Sequence, residues 1–296
     1  MRRAGTSHYR RYLPISELDL AWGLHVTCGG YLRMAAGDAY PPTGHPATYD
    51  LNWQSGRVLD EFQLHFLTRG GGHFESAEGS QTIAAGMVFL LFPGVWHRYQ
   101  PDPATGWDEW WIGFSGDQAL RMMRPPFFSS RQPVIPVSEP DALLEHFTEI
   151  VAIMQADQAQ QQRLLSGQAA LLLGTLQLRR ADTALDARAA RLIQEAKRLI
   201  SAAVAKPING QAIAAELKVG YHWLRRAFRR QVGMSLHEYH AQLRLHAAMH
   251  LLESTDRSIA DISHDLGFDD AYYFSRFFRR QVGLAPKHWR RQRAGG

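Results

Sequence analysis

The sequence is almost free of cysteine and has no long apolar segment. Cys28 is the only cysteine among 296 residues, which excludes an intramolecular disulfide and any metal site built from several cysteines. No run approaches the ~18 apolar residues that a membrane-spanning helix needs. The basic start, MRRAGTSHYRRYLP, is not followed by the apolar stretch of a secretory signal. We therefore expect a cytoplasmic protein.

Charge is distributed unevenly along the chain. Residues 187–296 hold 19 Lys and Arg against 9 Asp and Glu, whereas residues 1–186 hold 14 against 19. A basic half beside an acidic half is typical of a protein in which one part binds a polyanion. A basic surface that is only solvated is the alternative. The length allows two domains with separate cores.

The first half of the chain has the pattern of short β-strands. Apolar and polar side chains alternate over 61–66, and Gly70-Gly71-Gly72 predicts a hairpin turn directly after this strand. Two more strands are predicted over 87–92 and 107–114. Short strands separated by glycine and proline are typical of a β-barrel or jelly roll.

Helical spacing replaces this alternation after Pro140. Two amphipathic helices are predicted over 141–178, where they could pack on the barrel or on a second subunit, and we expect a homodimer. The polar stretch 181–190 is predicted to be a linker. The chain is thus divided into a first domain over 1–180, the linker, and a second domain over 191–296.

The second half contains one basic, aromatic octet twice. The octet RAFRRQVG (226–233) returns as RFFRRQVG (276–283), and each copy ends in a glycine that suits a helix C-cap. The preceding segments, at 211–217 and 260–266, are also similar, so each copy predicts a helix-turn-helix. A helix capped by Ser235 between the copies would span roughly 25–30 Å. That length is close to the ~34 Å between successive major grooves on one face of DNA.

Each octet ends an amphipathic helix with aromatic side chains inside and arginines outside. Trp223 and Tyr273 are predicted to face inward. A helical bundle whose repeated arginines are only solvated is the alternative to a pair of DNA-reading helices. The candidate DNA-contacting residues are Tyr221, His222, Arg225, Arg226 and Arg229 in the first copy and Ala271, Tyr272, Ser275, Arg276 and Arg279 in the second.

These residues resemble the DNA-binding domain of the AraC/XylS family of bacterial transcription regulators. The resemblance covers about 191–293 and is most specific in IADI (259–262), GFDDAYYFSRFF (267–278) and GLAP (283–286). Gly220 departs from the family pattern, which has a serine cap at the start of the first recognition helix. The resemblance implies a protein that binds double-stranded DNA and RNA polymerase, more often as an activator than as a repressor.

The first half resembles a second known type of domain. The segment GMVFLLFPGVWH (86–97) is similar to cupins, and PGVWHRYQPDPATGWDEWWIGFSG (93–116) is similar to the sugar-responsive effector domain of the AraC family. The resemblance implies a small-molecule effector, a monosaccharide, and places the ligand contacts in this half. The candidate ligand-binding residues are Arg57, Tyr99, Glu109, Trp111 and His97, the last as a structural or pocket histidine.

The chemistry of these residues suits a sugar. Arginine, glutamate and tyrosine can bind hydroxyl groups, and an aromatic ring can stack on the apolar face of a pyranose. Glu109 and Trp111 share one face of a strand while Trp110 takes the other, although Trp107, Trp110 and Trp111 could all be core residues. Because no His-x-His motif is present, we expect no metal and no cofactor.

The predicted fold class is α+β multidomain: an N-terminal cupin-like β-barrel or jelly roll with dimerisation helices, and a C-terminal all-α domain with two helix-turn-helix motifs. The leading hypothesis is a ligand-responsive, sequence-specific transcription regulator, an activator of genes for pentose or related sugar utilisation, and not an enzyme. One alternative is a cupin-type sugar enzyme with a fused DNA-binding tail. Another is a constitutive DNA-binding protein with a vestigial barrel.

Overall fold

The computed structural model describes residues 7–42, 49, 51–180 and 184–294. Contacts divide the chain into two units, Met1–Ala181 and Asp182–Gly296. The described part of the predicted linker, 184–190, is helical, because this alanine-rich stretch consists mostly of strong helix formers. Residues 181–183 of that linker lie outside the described residues. Within the described ranges, none of the helices is both long and apolar enough to cross a membrane.

Antiparallel strands dominate the first unit, which confirms the predicted β-rich domain. Their order is β1-β2-β7-β3-β5-β8, and β4 and β6 also pair with β3. The strands are β1 (Ser7–Tyr12), β2 (His25–Met34), β3 (Phe62–Ser76), β4 (Gly79–Ala84), β5 (Met87–Leu91), β6 (His97–Pro101), β7 (Trp107–Ser115) and β8 (Val134–Pro136).

The long strand β3 belongs to two sheets. It pairs with β5 and β7 before the glycine triplet Gly70–Gly72 and with β4 and β6 from there onward. The predicted hairpin turn at this triplet is therefore wrong, because strand β3 continues through it and changes partners at Gly70, whose φ is 71°. A Cβ atom at Gly70 would lie 2.0 Å from the carbonyl oxygen of Gly106, and one at Gly72 would lie 2.1 Å from that of Gln100. The triplet is glycine because neighbouring backbone leaves no room for side chains.

Helices cover one side of these strands, which is one of the two packings left open for the helices predicted over 141–178. Buried apolar side chains of both long helices join the core of the sheet, and the rings of Phe66 and Phe147 stack with their centroids 5.9 Å apart. The helices of this unit are α1 (Glu17–Trp22), α2 (Asp117–Met122), α3 (Pro140–Ala156) and α4 (Gln161–Arg179).

The outer face of α4 is apolar. Apart from Arg163, every exposed residue of this helix is leucine or glycine. The three leucines are spaced by seven residues and are 52–75% exposed, and a Cβ atom added at either glycine would meet nothing within 4 Å. These residues, called the α4 face below, are Leu164, Gly167, Leu171, Gly174 and Leu178.

The second unit is helical and contains the two predicted helix-turn-helix motifs, α6–α7 and α9–α10. The second helix of each motif has twelve residues and is followed by a glycine in the left-handed region. These glycines are Gly233 at φ 80° and Gly283 at φ 83°. The helices are α5 (Ala184–Ala202), α6 (Gly210–Glu216), α7 (Tyr221–Val232), α8 (Leu236–Ser254), α9 (Ile259–Asp265), α10 (Ala271–Val282) and α11 (Pro286–Ala294).

Helix α8 is shared by the cores of both motifs. Leu236 near its start packs into the core of the first motif, and Leu252 near its end packs into that of the second. The turn after α5 contacts both α8 and the second motif. The carbonyl oxygen of Ala203 lies 3.2 Å from His240 Nε2, and a Cβ atom added at Gly267 would lie 2.0 Å from that of Ala205. The two motifs are therefore joined by a helix and by a second, direct contact.

Candidate functional site

A cleft in the first unit is lined by four of the five predicted ligand-binding residues: Arg57, Tyr99, Glu109 and Trp111. Its empty space is about 600 Å³ when open solvent is counted. The centres of water molecules can occupy only about 50 Å³ of it. Because this is room for a few waters, a larger ligand has to move some of the side chains that line the cleft.

Arg57 is held by its backbone and by its side chain. Its backbone exchanges two hydrogen bonds with that of His97, at 2.9 and 3.0 Å. Its guanidinium donates to the hydroxyl of Tyr99 at 2.7 Å and to the carbonyl oxygen of Tyr49. The structure gives it no ion pair with any described carboxylate, so this half-buried cation depends on neutral acceptors.

A chain of buried polar side chains follows one face of β3. Gln63 Nε2 donates to Glu61 Oε1 at 2.7 Å, which turns its Oε1 toward His65 Nε2 at 3.0 Å. That histidine nitrogen must therefore carry a proton. His65 Nδ1 lies 2.6 Å from Glu109 Oε1, so one proton is shared between these two groups. The His65–Glu109 pair has no net charge, whichever partner holds the proton.

His97 stands behind Arg57 and is not among the residues that line the cleft. Its Nε2 accepts from Arg57 Nε at 3.2 Å, and its Nδ1 donates to the carbonyl oxygen of Val95 at 3.0 Å. This arrangement requires a neutral ring. Burial, and secondarily the charge of Arg57, lower the pKa of His97 to about 3. The ring of His97 therefore contacts Arg57 and does not face the cleft.

The three tryptophans of β7 have three different environments. Trp111 is half-buried and lines the cleft beside Glu109. Trp110 faces the other side of the sheet, where its ring lies 5.0 Å from that of Tyr31 and 6.4 Å from that of Phe147. Trp107 is completely buried in the core. The alternation predicted for Glu109, Trp110 and Trp111 is thus what the strand shows.

Several residues of the cleft were not singled out from the sequence. Two sequence patterns could have indicated them. Every second residue of β1 faces the cleft, and polar residues alternate with apolar ones along β3. Among the described residues, no group of three or more His, Cys, Asp or Glu is arranged to hold a metal. The additional lining residues with polar groups are His8, Arg10, Tyr12, Tyr40, Tyr49, Gln63 and His65.

The predicted DNA-contacting residues of the first motif lie on α7. His222, Arg225, Arg226 and Arg229 are exposed on one side of this helix. Tyr221 differs, because it is half-buried and packs on the core of the motif. The N-cap of α7 is Gly220, which makes no side-chain hydrogen bond to the helix start.

Helix α10 presents the corresponding residues of the second motif. Tyr272 is 73% exposed, Arg276 and Arg279 are exposed, and Ala271 and Ser275 are half-buried. Tyr273 was predicted to face inward and is instead 54% exposed. The inner position is filled by Phe268, which comes from the turn before the helix and packs 5.1 Å from the ring of Phe274.

Two family models match successive parts of the chain. One describes an AraC-like ligand-binding domain and matches residues 30–173, and the other describes a helix-turn-helix domain and matches residues 213–292. The chain belongs to the AraC family of transcription regulators. The ligand-binding model of this family includes most of the cleft, but β1, with His8, Arg10 and Tyr12, precedes the matched range.

Relatives of similar length are AraC-family operon regulators. The Msm operon regulatory protein of Streptococcus mutans is 26% identical over 246 residues, which are 79% of this chain and 86% of that protein. The lactose operon transcription activator of Staphylococcus xylosus is 26% identical over 244 residues, 79% of this chain and 85% of that protein. The match to a solved AraC-type regulator from Chromobacterium violaceum covers 36% of this chain and 96% of that chain. The sequence identity is 31% and the TM-score is 0.34.

We expect the neutral state of His97 to make the stability of the first unit depend on pH. The folded pKa of about 3 lies below the ordinary value of 6.5, so below pH 6.5 the unfolded chain gains a proton that the folded chain does not. The stability that the neutral His97 ring contributes to the folded state is fully present above pH 6.5. It is lost progressively as the pH falls toward 3. His97→Gln should reduce the fall in unfolding free energy between pH 6 and 4.5 by up to about 1.4 kcal/mol per pH unit.

Urea unfolding at a series of pH values measures this effect. His73→Gln is the matched control, because His73 is an exposed histidine on β3. That control should keep the pH dependence of the unaltered protein. If His97→Gln keeps it too, His97 is not held neutral in the folded state.

Proposed function

We propose that this chain is a sugar-responsive activator of sugar-utilisation genes, which acts as a homodimer on double-stranded DNA and contacts RNA polymerase. The main support for this proposal is that one chain combines a cleft lined by polar and aromatic groups with two helix-turn-helix motifs. The name of one relative, the lactose operon transcription activator, supports sugar control. Regulation requires binding alone, so no catalytic step is part of the proposal.

The cleft favours a neutral polyol. The guanidinium of Arg57 and the phenol of Tyr99 can bind ligand hydroxyls, and the second oxygen of Glu109 makes no hydrogen bond with a described residue. The ring of Trp111 offers an apolar surface for one face of a pyranose. Because the His65–Glu109 pair carries no net charge, the cleft has little to attract a charged ligand beyond Arg57 and Arg10.

We expect Trp111→Ala to abolish the thermal stabilisation of the protein by its sugar. A ligand present at 100 times its Kd stabilises the folded state by about 2.7 kcal/mol, and this gain should disappear when the stacking surface is removed. The measurement is a thermal shift with a panel of pentoses and hexoses. Affinity for DNA without sugar should persist, because the altered residue lies in the other unit.

The matched control is Trp22→Ala, since Trp22 is a tryptophan of the same unit that is 55% exposed and outside the cleft. It should respond to sugar like the unaltered protein. A full sugar response in Trp111→Ala would place the ligand elsewhere, and a response only to fatty or aromatic acids would refute sugar sensing.

The α4 face supports a homodimer formed by this helix. Leucines spaced by seven residues alternate with glycines at the intermediate positions, which is the spacing of a helix–helix seam. The open space at Gly167 and Gly174 would allow a second helix to approach closely. Since an apolar stripe of this kind is unfavourable in water, a second copy of α4 is the occupant we propose.

We expect Leu171→Glu to dissociate this dimer. Two copies of the central leucine would leave the interface, and each contributes about 1.5–3 kcal/mol when fully buried. The dimer dissociation constant should therefore rise by at least about a hundredfold, as measured by sedimentation. Thr148→Glu, on the exposed polar side of α3, introduces the same charge as a control and should remain dimeric. A dimer that tolerates Leu171→Glu would rule out the α4 face.

DNA binding is proposed for the exposed sides of α7 and α10. The 19 residues of α8 correspond to about 28 Å of helix, and this helix is packed into both motifs. It can therefore hold α7 and α10 at a fixed separation, suited to two successive segments of the major groove.

We expect Arg225→Ala and Arg279→Ala to weaken DNA binding in different ways. Arg225 lies in the first turns of α7, where base edges are reached, and a bidentate contact to guanine is worth about 1–3 kcal/mol of discrimination. Its removal should reduce affinity for the operator more than for random DNA. Arg279 lies in the last turn of α10 and should contact phosphate, so its removal should weaken both alike and reduce the salt dependence.

Both variants are compared by fluorescence anisotropy on operator and random duplexes at several salt concentrations. Equal losses on the two duplexes for Arg225→Ala would contradict its role in base reading. A sequence-selective loss for Arg279→Ala would contradict phosphate contact.

A further inference from the structure

The two recognition helices have the same backbone and different exposed chemistry. Both α7 and α10 run for twelve residues and end at a left-handed glycine, so positions fifty apart in the sequence correspond. His222 of α7 corresponds to Tyr272 of α10, and Arg225 corresponds to Ser275. Any difference in how the two helices read DNA therefore arises from side chains.

The start of α7 presents hydrogen-bond donors. His222, Arg225 and Arg226 are exposed there, and no hydrogen bond to a described residue is recorded for their side chains. Arginine is the side chain best suited to the two acceptors that guanine displays in the major groove. The first half of the operator should therefore depend on guanine.

The start of α10 presents fewer hydrogen-bond donors than that of α7, because only Arg276, at the position of Arg226, is an exposed arginine there. Ser275, at the position of Arg225, donates its hydroxyl to the carbonyl oxygen of Ala271 at 2.8 Å and is half-buried. The guanidinium of Arg276 lies over the ring of Tyr272, 5.8 Å from its centroid. Tyr273 leans back toward Phe268, with their ring centroids 6.2 Å apart. Beside Arg276, the exposed group at this point is the ring of Tyr272, and the half-buried methyl group of Ala271 lies next to it.

Resting on the proposed function, we propose that α10 reads the methyl groups of thymine through Tyr272 and Ala271, whereas α7 reads guanine through hydrogen bonds. The C5 methyl of thymine is the apolar group that base edges offer in the major groove. Apolar contact with it requires no donor, so the consumed hydroxyl of Ser275 is consistent with this form of reading. The operator then contains two chemically different sequence elements, called the α7 box and the α10 box after the helix that reads each.

Base analogues test this assignment on the full-length protein. Operators are first selected from random duplex DNA, and the box that Arg225→Ala relaxes is assigned to α7. Deoxyuridine, which lacks the methyl group, then replaces thymidine in one box at a time. In the α10 box we expect a loss of affinity of about fourfold for each contacted methyl group, with little change in the α7 box. Replacement of guanine by 7-deazaguanine should have the reverse pattern.

Two variants of one residue separate the ring from its hydroxyl. Tyr272→Phe keeps the ring, so its affinity should still fall when deoxyuridine enters the α10 box. Tyr272→Ala should bind the thymidine and deoxyuridine duplexes equally. Because Tyr272 is 73% exposed, neither change removes a buried side chain from the core.

Three outcomes would overturn the assignment. Deoxyuridine could have no effect in the α10 box, or it could have equal effects in both boxes. Tyr272→Phe could also be as insensitive to deoxyuridine as Tyr272→Ala, which would assign the contact to the hydroxyl. A protein that selects no DNA sequence at all would refute the proposed function itself, whereas selection without methyl dependence refutes only the reading by α10.

Discussion

Close backbone packing at the glycine triplet of β3 is the constraint on which the first unit depends. A side chain at Gly70 or Gly72 would collide with a carbonyl oxygen of a neighbouring strand. Because these residues are glycine, one uninterrupted strand can pair with β4, β5, β6 and β7. The polar groups of Gln63 and His65 are therefore fixed in the centre of the sheet, opposite Glu109 on β7. The floor of the cleft is thus formed by a strand that is paired on both sides.

The walls of the cleft are less constrained than its floor. Strand β1 lies at the edge of the sheet and, among the described strands, pairs with β2 alone, yet alternate residues of β1 line the cleft. Tyr40 and Tyr49 are not strand residues. Since the cleft has room for only a few waters, ligand entry has to displace groups from these walls. A ligand can shift a conformational equilibrium only through such differences in contact.

Sequence periodicity predicted the helices and strands better than it predicted the contacts between them. The repeated octet identified both helix-turn-helix motifs because the duplication fixed helix, turn and glycine cap together. Strand alternation correctly separated Glu109 and Trp111 from Trp110. The glycine triplet was misread, because glycine marks both turns and close backbone approach. Tyr273 was misplaced because its inner position is taken by Phe268, a residue outside the helical period.

The missed members of the cleft have a common physical reason. His8, Tyr40 and Gln63 are far apart in the chain and are brought together by strand pairing. No local pattern records that convergence, although the alternating polar residues of β3 indicated a hydrated or paired face. The neutral ring of His97 was equally hidden, since it follows from two hydrogen-bonding partners that only the fold supplies.

The contact between Gly267 and Ala205 also bears on how target promoters can evolve. It joins the turn of the second motif to the end of α5, so among the described residues the two motifs are connected both by α8 and by this contact. Insertion or deletion of one base pair between the two boxes rotates one box by about a tenth of a turn relative to the other. The proposed recognition helices α7 and α10 cannot follow that rotation unless these contacts change. Point substitutions should therefore accumulate in such promoters more readily than changes in spacer length.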